Sequence, residues 1–230
     1  GRKMGEKIRR KALLILSCVL MLEAVGIRHV PNFQRVGLIL YAAGMLAMYA
    51  MTLRRKIKGL AVNENDFMPF LFGAGLLAIE VRRYDFGEEG KLWLWIIIIS
   101  LLLALPMLLA AEKQVPDERA DDEKYWGRAV ILALVVLLSA HSWACLSNAA
   151  FDQSAGSAQT AYITEKWREK HKFSWDYHLR VAASGETESL TFQIGAGSYN
   201  RVSEGDAVTV TEHPGFWGAP YYTWESPQSP

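Results

Sequence analysis

The sequence predicts a membrane-embedded all-α helical bundle with four or five crossings, followed by a small all-β C-terminal domain. Three observations predict it. Every long apolar run lies before residue 151, alternation of polar and apolar residues takes over after it, and basic residues gather at the ends of the runs. Whole-chain averages conceal the division, because a hydrophobic share of 51% and a net charge of +1 would also suit a soluble protein. On this reading residues 1–150 form the transmembrane part, 151–160 a linker, 161–226 the β domain and 227–230 a tail.

The apolar runs are Ala12–Ile27, Val36–Leu53, Phe67–Val81, Leu92–Ala111 and Ala129–Ala150. A helix rises about 1.5 Å per residue, so a hydrocarbon core of about 30 Å takes roughly 20 residues. The fourth and fifth runs meet that length, and Trp93 and Trp95 stand where aromatic rings favour the interface. The third is short, begins near Pro69 and ends at Glu80, so it either spans or is re-entrant. The first reads as a retained helix, since Glu23-Ala24-Val25-Gly26 makes a poor signal-peptide cleavage site. Small residues four apart, Ala43 with Ala47 and Ala74 with Ala78, suit close helix packing.

Loop charges orient the chain. Arg2, Lys3, Lys7, Arg9, Arg10 and Lys11 precede the first run, and Arg54, Arg55, Lys56 and Lys58 follow the second. The excess of Lys and Arg on cytoplasmic loops then places the N-terminus inside. Five crossings put the β domain outside the cytoplasm, whereas four return it to the cytoplasm. The loop Glu112–Arg128 mixes both signs and discriminates little.

In the second part, Ala161–Trp167, Trp175–Val181, Ser189–Ile194, Ala207–Thr211 and Ala219–Trp224 read as strands. Ser184-Gly185-Glu186, Ser203-Glu204-Gly205-Asp206 and His213-Pro214-Gly215 separate them as turn signals. Five strands in this length suggest a barrel or sandwich, an OB-like barrel among them. Trp167 and Trp175 are expected in its core. Phe216, Trp217, Tyr221 and Tyr222 either belong to the same core or form a candidate interaction patch for lipid headgroups or another protein. Phe216 and Trp217 lie in a Gly- and Pro-flanked loop, where a large apolar side chain needs an explanation. A few membrane helices followed by a small β domain, with the strand entry Val202-Ser203-Glu204-Gly205-Asp206-Ala207-Val208-Thr209-Val210, resembles membrane proteins of the NfeD type. The resemblance implies an OB barrel for the C-terminal domain.

Ionisable residues inside apolar runs are costly and so are candidates for function: Glu23, Glu80 and His141. They either line an outward-facing polar cavity or serve structure, Glu23 pairing with Arg28 or Arg82 and His141 bonding between helices. His141 and Cys145 share a helix face, but nothing supplies further metal ligands. There is no Gly-rich phosphate loop, no His-Glu-x-x-His and no nucleophile elbow, so neither cofactor nor metal is expected. The acidic run Asp117–Glu123 reads as a solvated loop. With no continuous basic patch, nucleic acid is not an expected partner.

The expected function is therefore non-enzymatic. It is that of an integral cell-membrane protein presenting a β domain outside the cytoplasm, where it binds another membrane or envelope protein, or a second copy of itself. The alternative is a small transporter or membrane enzyme using Glu23 and His141.

Overall fold

In the computed structural model the described residues are 2–30, 32–58, 64–86, 90, 92–98, 100–101, 122–171, 174–183 and 189–225. They form N-terminal helices followed by a nearly closed antiparallel barrel, in two compact units. The first unit is Gly1–Glu80 with Leu92–Ser147; the second is Val81–Lys91 with Asn148–Pro230. Residues 102–111 of the fourth run, residues 117–121 of the acidic run, the turn at 184–186 and the tail lie outside the described residues.

The helical unit contains α1 (Arg2–His29), α2 (Gln34–Ile57), a 3₁₀ turn at Glu64–Phe67, α3 (Met68–Val81), helical residues 92–98 (α4) and most of α5 (Asp122–Ala150). Among the described residues, Lys11–His29 and Gln34–Ile57 are long and apolar enough to cross a membrane, and α3 is a shorter apolar helix. Of the two alanine pairs, Ala43 and Ala47 are exposed, whereas Ala74 is buried and Ala78 half-buried. A Cβ on Gly73 of α3 would lie 3.0 Å from the Met21 Cα on α1, so any larger residue requires the two helices to move apart by a few tenths of an ångström. Polar groups stitch the same helices. The Phe70 N–H, in the first turn of α3 where no intrahelical acceptor exists, donates to Ser17 Oγ at 2.9 Å. Trp143 Nε1 on α5 donates to the Leu38 carbonyl on α2 at 2.8 Å.

The β unit is a six-stranded sheet where the sequence suggests five strands. Its five C-terminal strands fall close to the alternating segments: β2 (Ser157–Lys170), β3 (Trp175–Ala183), β4 (Ser189–Ile194), β5 (Ala207–His213) and β6 (Tyr221–Glu225). The sixth, β1 (Asp85–Phe86), comes from the segment between α3 and α4, which a division at residue 151 assigns to the helical part. Strand β2 already begins at Ser157, so the irregular connection after α5 is shorter than a linker over 151–160. The strand order is β1-β6-β5-β2-β3-β4, all neighbours antiparallel, with a short helix α6 (Ala196–Arg201) between β4 and β5. The ends of the sheet meet where the Thr191 N–H of β4 donates to Asp85 Oδ2 of β1 at 2.9 Å.

The core is aliphatic around one aromatic ring: Ile163, Leu179, Val181, Phe192, Val202 and Val210 are almost fully buried. Each such side chain contributes roughly 1.5–3 kcal/mol by leaving water. Trp167 and Trp175, expected in this core, are absent from it. A register shift between Ile163 and Glu165 inserts an extra residue in β2 and reverses its alternation, so Lys166 pairs with buried Leu179 while Trp167 pairs with His178 on the opposite face. Trp175 keeps the inward parity of Leu179 and Val181 but sits at the hairpin tip beyond the core, 42% exposed. Lys166 closes that end of the barrel, with Nζ bonded to the Tyr199 and Val202 carbonyls and 4.3 Å above the Tyr199 ring.

Candidate functional site

Glu23, Glu80 and His141, the ionisable residues of the apolar runs, each have different neighbours. Glu80 is buried in α3 with its carboxylate 3.9 Å from Arg28 Nε on α1, so Arg28 pairs with Glu80. Glu23 lines an apolar groove of about 310 Å³ with Val19, Leu22, Gly26, Val30 and Phe33. Its inner neighbours are Gly44 on α2, whose Cβ position lies 3.8 Å from Glu23 Oε2, and buried Tyr41. His141 is not part of that groove. Its ring stacks on Trp93 of α4 with centroids 4.4 Å apart, and its Nε2 lies 3.5 Å from Cys145 Sγ. Among the described residues, no group of three or more His, Cys, Asp or Glu is arranged to hold a metal ion. Among the described residues, the contacts of Glu80 and His141 join one helix to another.

In the β unit the structure divides the four patch aromatics. Tyr221 is only 5% exposed: its ring stacks on His213 with centroids 4.7 Å apart and meets Tyr84 edge-on at 5.7 Å. Burial, then the charges of Asp152 and Tyr84, push its hydroxyl up to about 12, so it remains a neutral donor, 3.4 Å from the Ala149 carbonyl. Tyr221 therefore belongs to the core, and Tyr222 is half-buried. Phe216 and Trp217 remain at the surface, 55% and 46% exposed.

The turn carrying these two rings is fixed by the end of α5. Asn148 Oδ1 accepts the Trp217 N–H at 2.8 Å, the Asn148 carbonyl accepts the Phe216 N–H at 3.0 Å, and Asn148 Nδ2 donates to the Ala219 carbonyl at 2.7 Å. Asp152 Oδ2 accepts the Gly215 N–H at 3.0 Å. Burial alone would raise the Asp152 carboxyl, but hydrogen bonds from Ser154 and Gly215 and the charge of His213 outweigh it and hold it below its usual value. Gly215, at φ +75, has no room for a side chain: a Cβ would lie 2.2 Å from the Ala219 oxygen.

A second exposed aromatic surface lies at the β2–β3 tip. The Trp175 ring has the Arg168 guanidinium 4.7 Å and the Lys170 ammonium 5.8 Å from its centroid. The acidic residues of the tip, Glu169 and Asp176, alternate to the other face, where Asp176 meets His171 at 3.2 Å and Arg82 at 3.7 Å. Sequence reasoning misses this site because it expects Trp175 inside. The available signal was the spacing of Lys166, Arg168 and Lys170, which puts three cations on one strand face.

Comparison with protein-family models, curated proteins and solved structures gave no match.

Proposed function

We propose that this chain is an integral membrane protein of the cell envelope, with its N-terminus cytoplasmic, that holds an OB-like barrel outside the cytoplasm and binds another membrane or envelope protein through it, without chemistry of its own. The observation that carries this reading is Trp175 flanked by Arg168 and Lys170. Trp175 stands outside the buried core of its domain, and Trp and Arg are both enriched at the hot spots of protein interfaces. Two cations on that face suit an acidic partner surface.

The membrane reading draws on side chains that face outward from the helices: Leu22, Ile39, Phe72 and Trp95 are 63%, 58%, 63% and 61% exposed. Helix α3 (Met68–Val81) rises about 21 Å, so a fifth crossing there requires local thinning of the bilayer or snorkelling of its flanking residues. The OB-like reading draws on strand order: the first C-terminal strand, β2, is central and bulged, and a helix separates β4 from β5.

The test is photo-crosslinking in native membranes from a reactive analogue placed at position 175, followed by Arg168→Ala with Lys170→Ala in the same chain. The reading expects a discrete protein adduct that falls at least tenfold on removing the cations. No adduct, or one indifferent to both cations, contradicts it.

A further inference from the structure

Three rings form one apolar surface beside the end of α5. Phe216 meets Trp217 edge-on at 4.9 Å and Phe151 at 5.7 Å. The turn itself, Gly215-Phe216-Trp217-Gly218, carries no charge and is bounded by Pro214 and Ala219. Its backbone cannot fold the rings away, because Asn148 and Asp152 hold Gly215, Phe216 and Trp217, and the Gly218 N–H closes the turn onto the Gly215 carbonyl at 3.0 Å.

We propose that this turn is a bilayer-interface anchor, whose Phe216 and Trp217 enter the boundary between headgroups and acyl chains of the membrane that α5 crosses. The depth of the turn follows from its bonding. Asn148, which accepts both ring-bearing N–H groups, is in the last turn of α5, and the apolar run of that helix ends at Ala150. The turn is thus held level with the residue at which the apolar run stops. The apolar run Ala129–Ala150 rises about 33 Å against a hydrocarbon core of about 30 Å, so its end reaches the interfacial layer. Trp and neighbouring aromatics partition to that layer, where the ring leaves water and the indole N–H keeps a polar partner. An uncharged turn has no preference for anionic lipid, in contrast to the cationic tip at Trp175.

The inference rests on the membrane reading of α5, and its test separates the two. Nitroxide labels are placed singly at Phe216→Cys, Ser203→Cys and Val136→Cys in the full chain carrying Cys18→Ala and Cys145→Ala, reconstituted into phosphatidylcholine vesicles. Collision with oxygen is compared with collision with a water-soluble nickel chelate. The expected result is oxygen-dominated collision at 136 and 216 and nickel-dominated collision at 203. Nickel-dominated collision at 216 with oxygen-dominated collision at 136 overturns the anchor while leaving the membrane reading intact. Nickel-dominated collision at 136 as well overturns both. A label at 216 that is aqueous in pure lipid and shielded only in native membranes assigns the turn to a protein partner and likewise overturns the anchor.

Discussion

The side chain of Asn148 and the carbonyl of Ala219, 71 residues apart in sequence, are joined by a 2.7 Å hydrogen bond, while the other end of the same amide accepts the Trp217 N–H at 2.8 Å. Asn148 is fully buried and its bond to Ala219 is buried with it, whereas its bond to Trp217 is part-buried.

Asn148→Ala is expected to release the turn. Leaving the buried Ala219 carbonyl unpaired and the part-buried Trp217 N–H without its acceptor costs about 1–3 kcal/mol, which corresponds to roughly 5- to 150-fold faster hydrogen exchange at the Trp217 amide. Exchange followed by mass spectrometry checks it, and unchanged protection would show that the turn is held elsewhere.

The two glycines of the turn should respond differently. Both have φ near +75, but a Cβ on Gly218 meets open space, whereas one on Gly215 collides with the Ala219 oxygen. Gly218→Ala then pays only the left-handed backbone strain, about 1–2 kcal/mol. Gly215→Ala must displace the turn as well, and is expected to accelerate proteolysis between residues 214 and 220 well beyond the effect of Gly218→Ala.

Much of the β unit is legible in the sequence because strand alternation is a local property: Val208 and Val210 face the core as their spacing requires. What fails is non-local. A single extra residue after Ile163 turns Trp167 outward, and nothing in the sequence marks it. Strand β1 has two residues, too few for any period, and becomes a strand only because β6 offers Tyr221 and Tyr222 as partners. Tyr221 looks like a patch residue until His213 and Tyr84 close on its ring. In the helical unit, Glu23, Glu80 and His141 can be found by composition, but which of them meet depends on helix rotation, which the sequence leaves open.

Acid titration should separate two carboxylates of the β unit. Asp152 is held below its usual value, so its stabilising contribution is present above the unfolded pKa near 3.9 and is lost as pH falls through the folded value. Asp152→Asn is expected to loosen the turn at neutral pH and to flatten the acid limb of the Trp217 exchange profile. Asp85 has the opposite sign. Burial raises it, only partly offset by the Thr191 N–H, so its contribution is full below the unfolded pKa and declines as pH rises through the folded one. Asp85→Asn keeps an acceptor for Thr191 and should leave the β1–β4 closure no weaker at pH 7. Exchange at the Thr191 amide reads it.

The pairing of β1 with β6 can be trapped covalently. Asp85 and Tyr222 are direct cross-strand partners, and paired Cα atoms lie about 4.5–5.5 Å apart, within disulfide range. Asp85→Cys with Tyr222→Cys, in a chain carrying Cys18→Ala and Cys145→Ala, should cross-link in native membranes under mild oxidation. The combination of Asp85→Cys with Thr209→Cys, on a strand that is not its neighbour, should not.

The segment between α3 and α4 and the C-terminal chain share one six-stranded sheet, and the central proposal is that this barrel lies outside the cytoplasm. The most direct test places single cysteines at Arg83→Cys and Ser203→Cys, in the same background lacking Cys18 and Cys145, and treats intact spheroplasts with a membrane-impermeant maleimide. The account predicts that both label without lysis. Labelling of only one would put the two segments on opposite sides and dismantle the six-stranded barrel, and labelling of both only after lysis would place the barrel in the cytoplasm and contradict the outward-facing function.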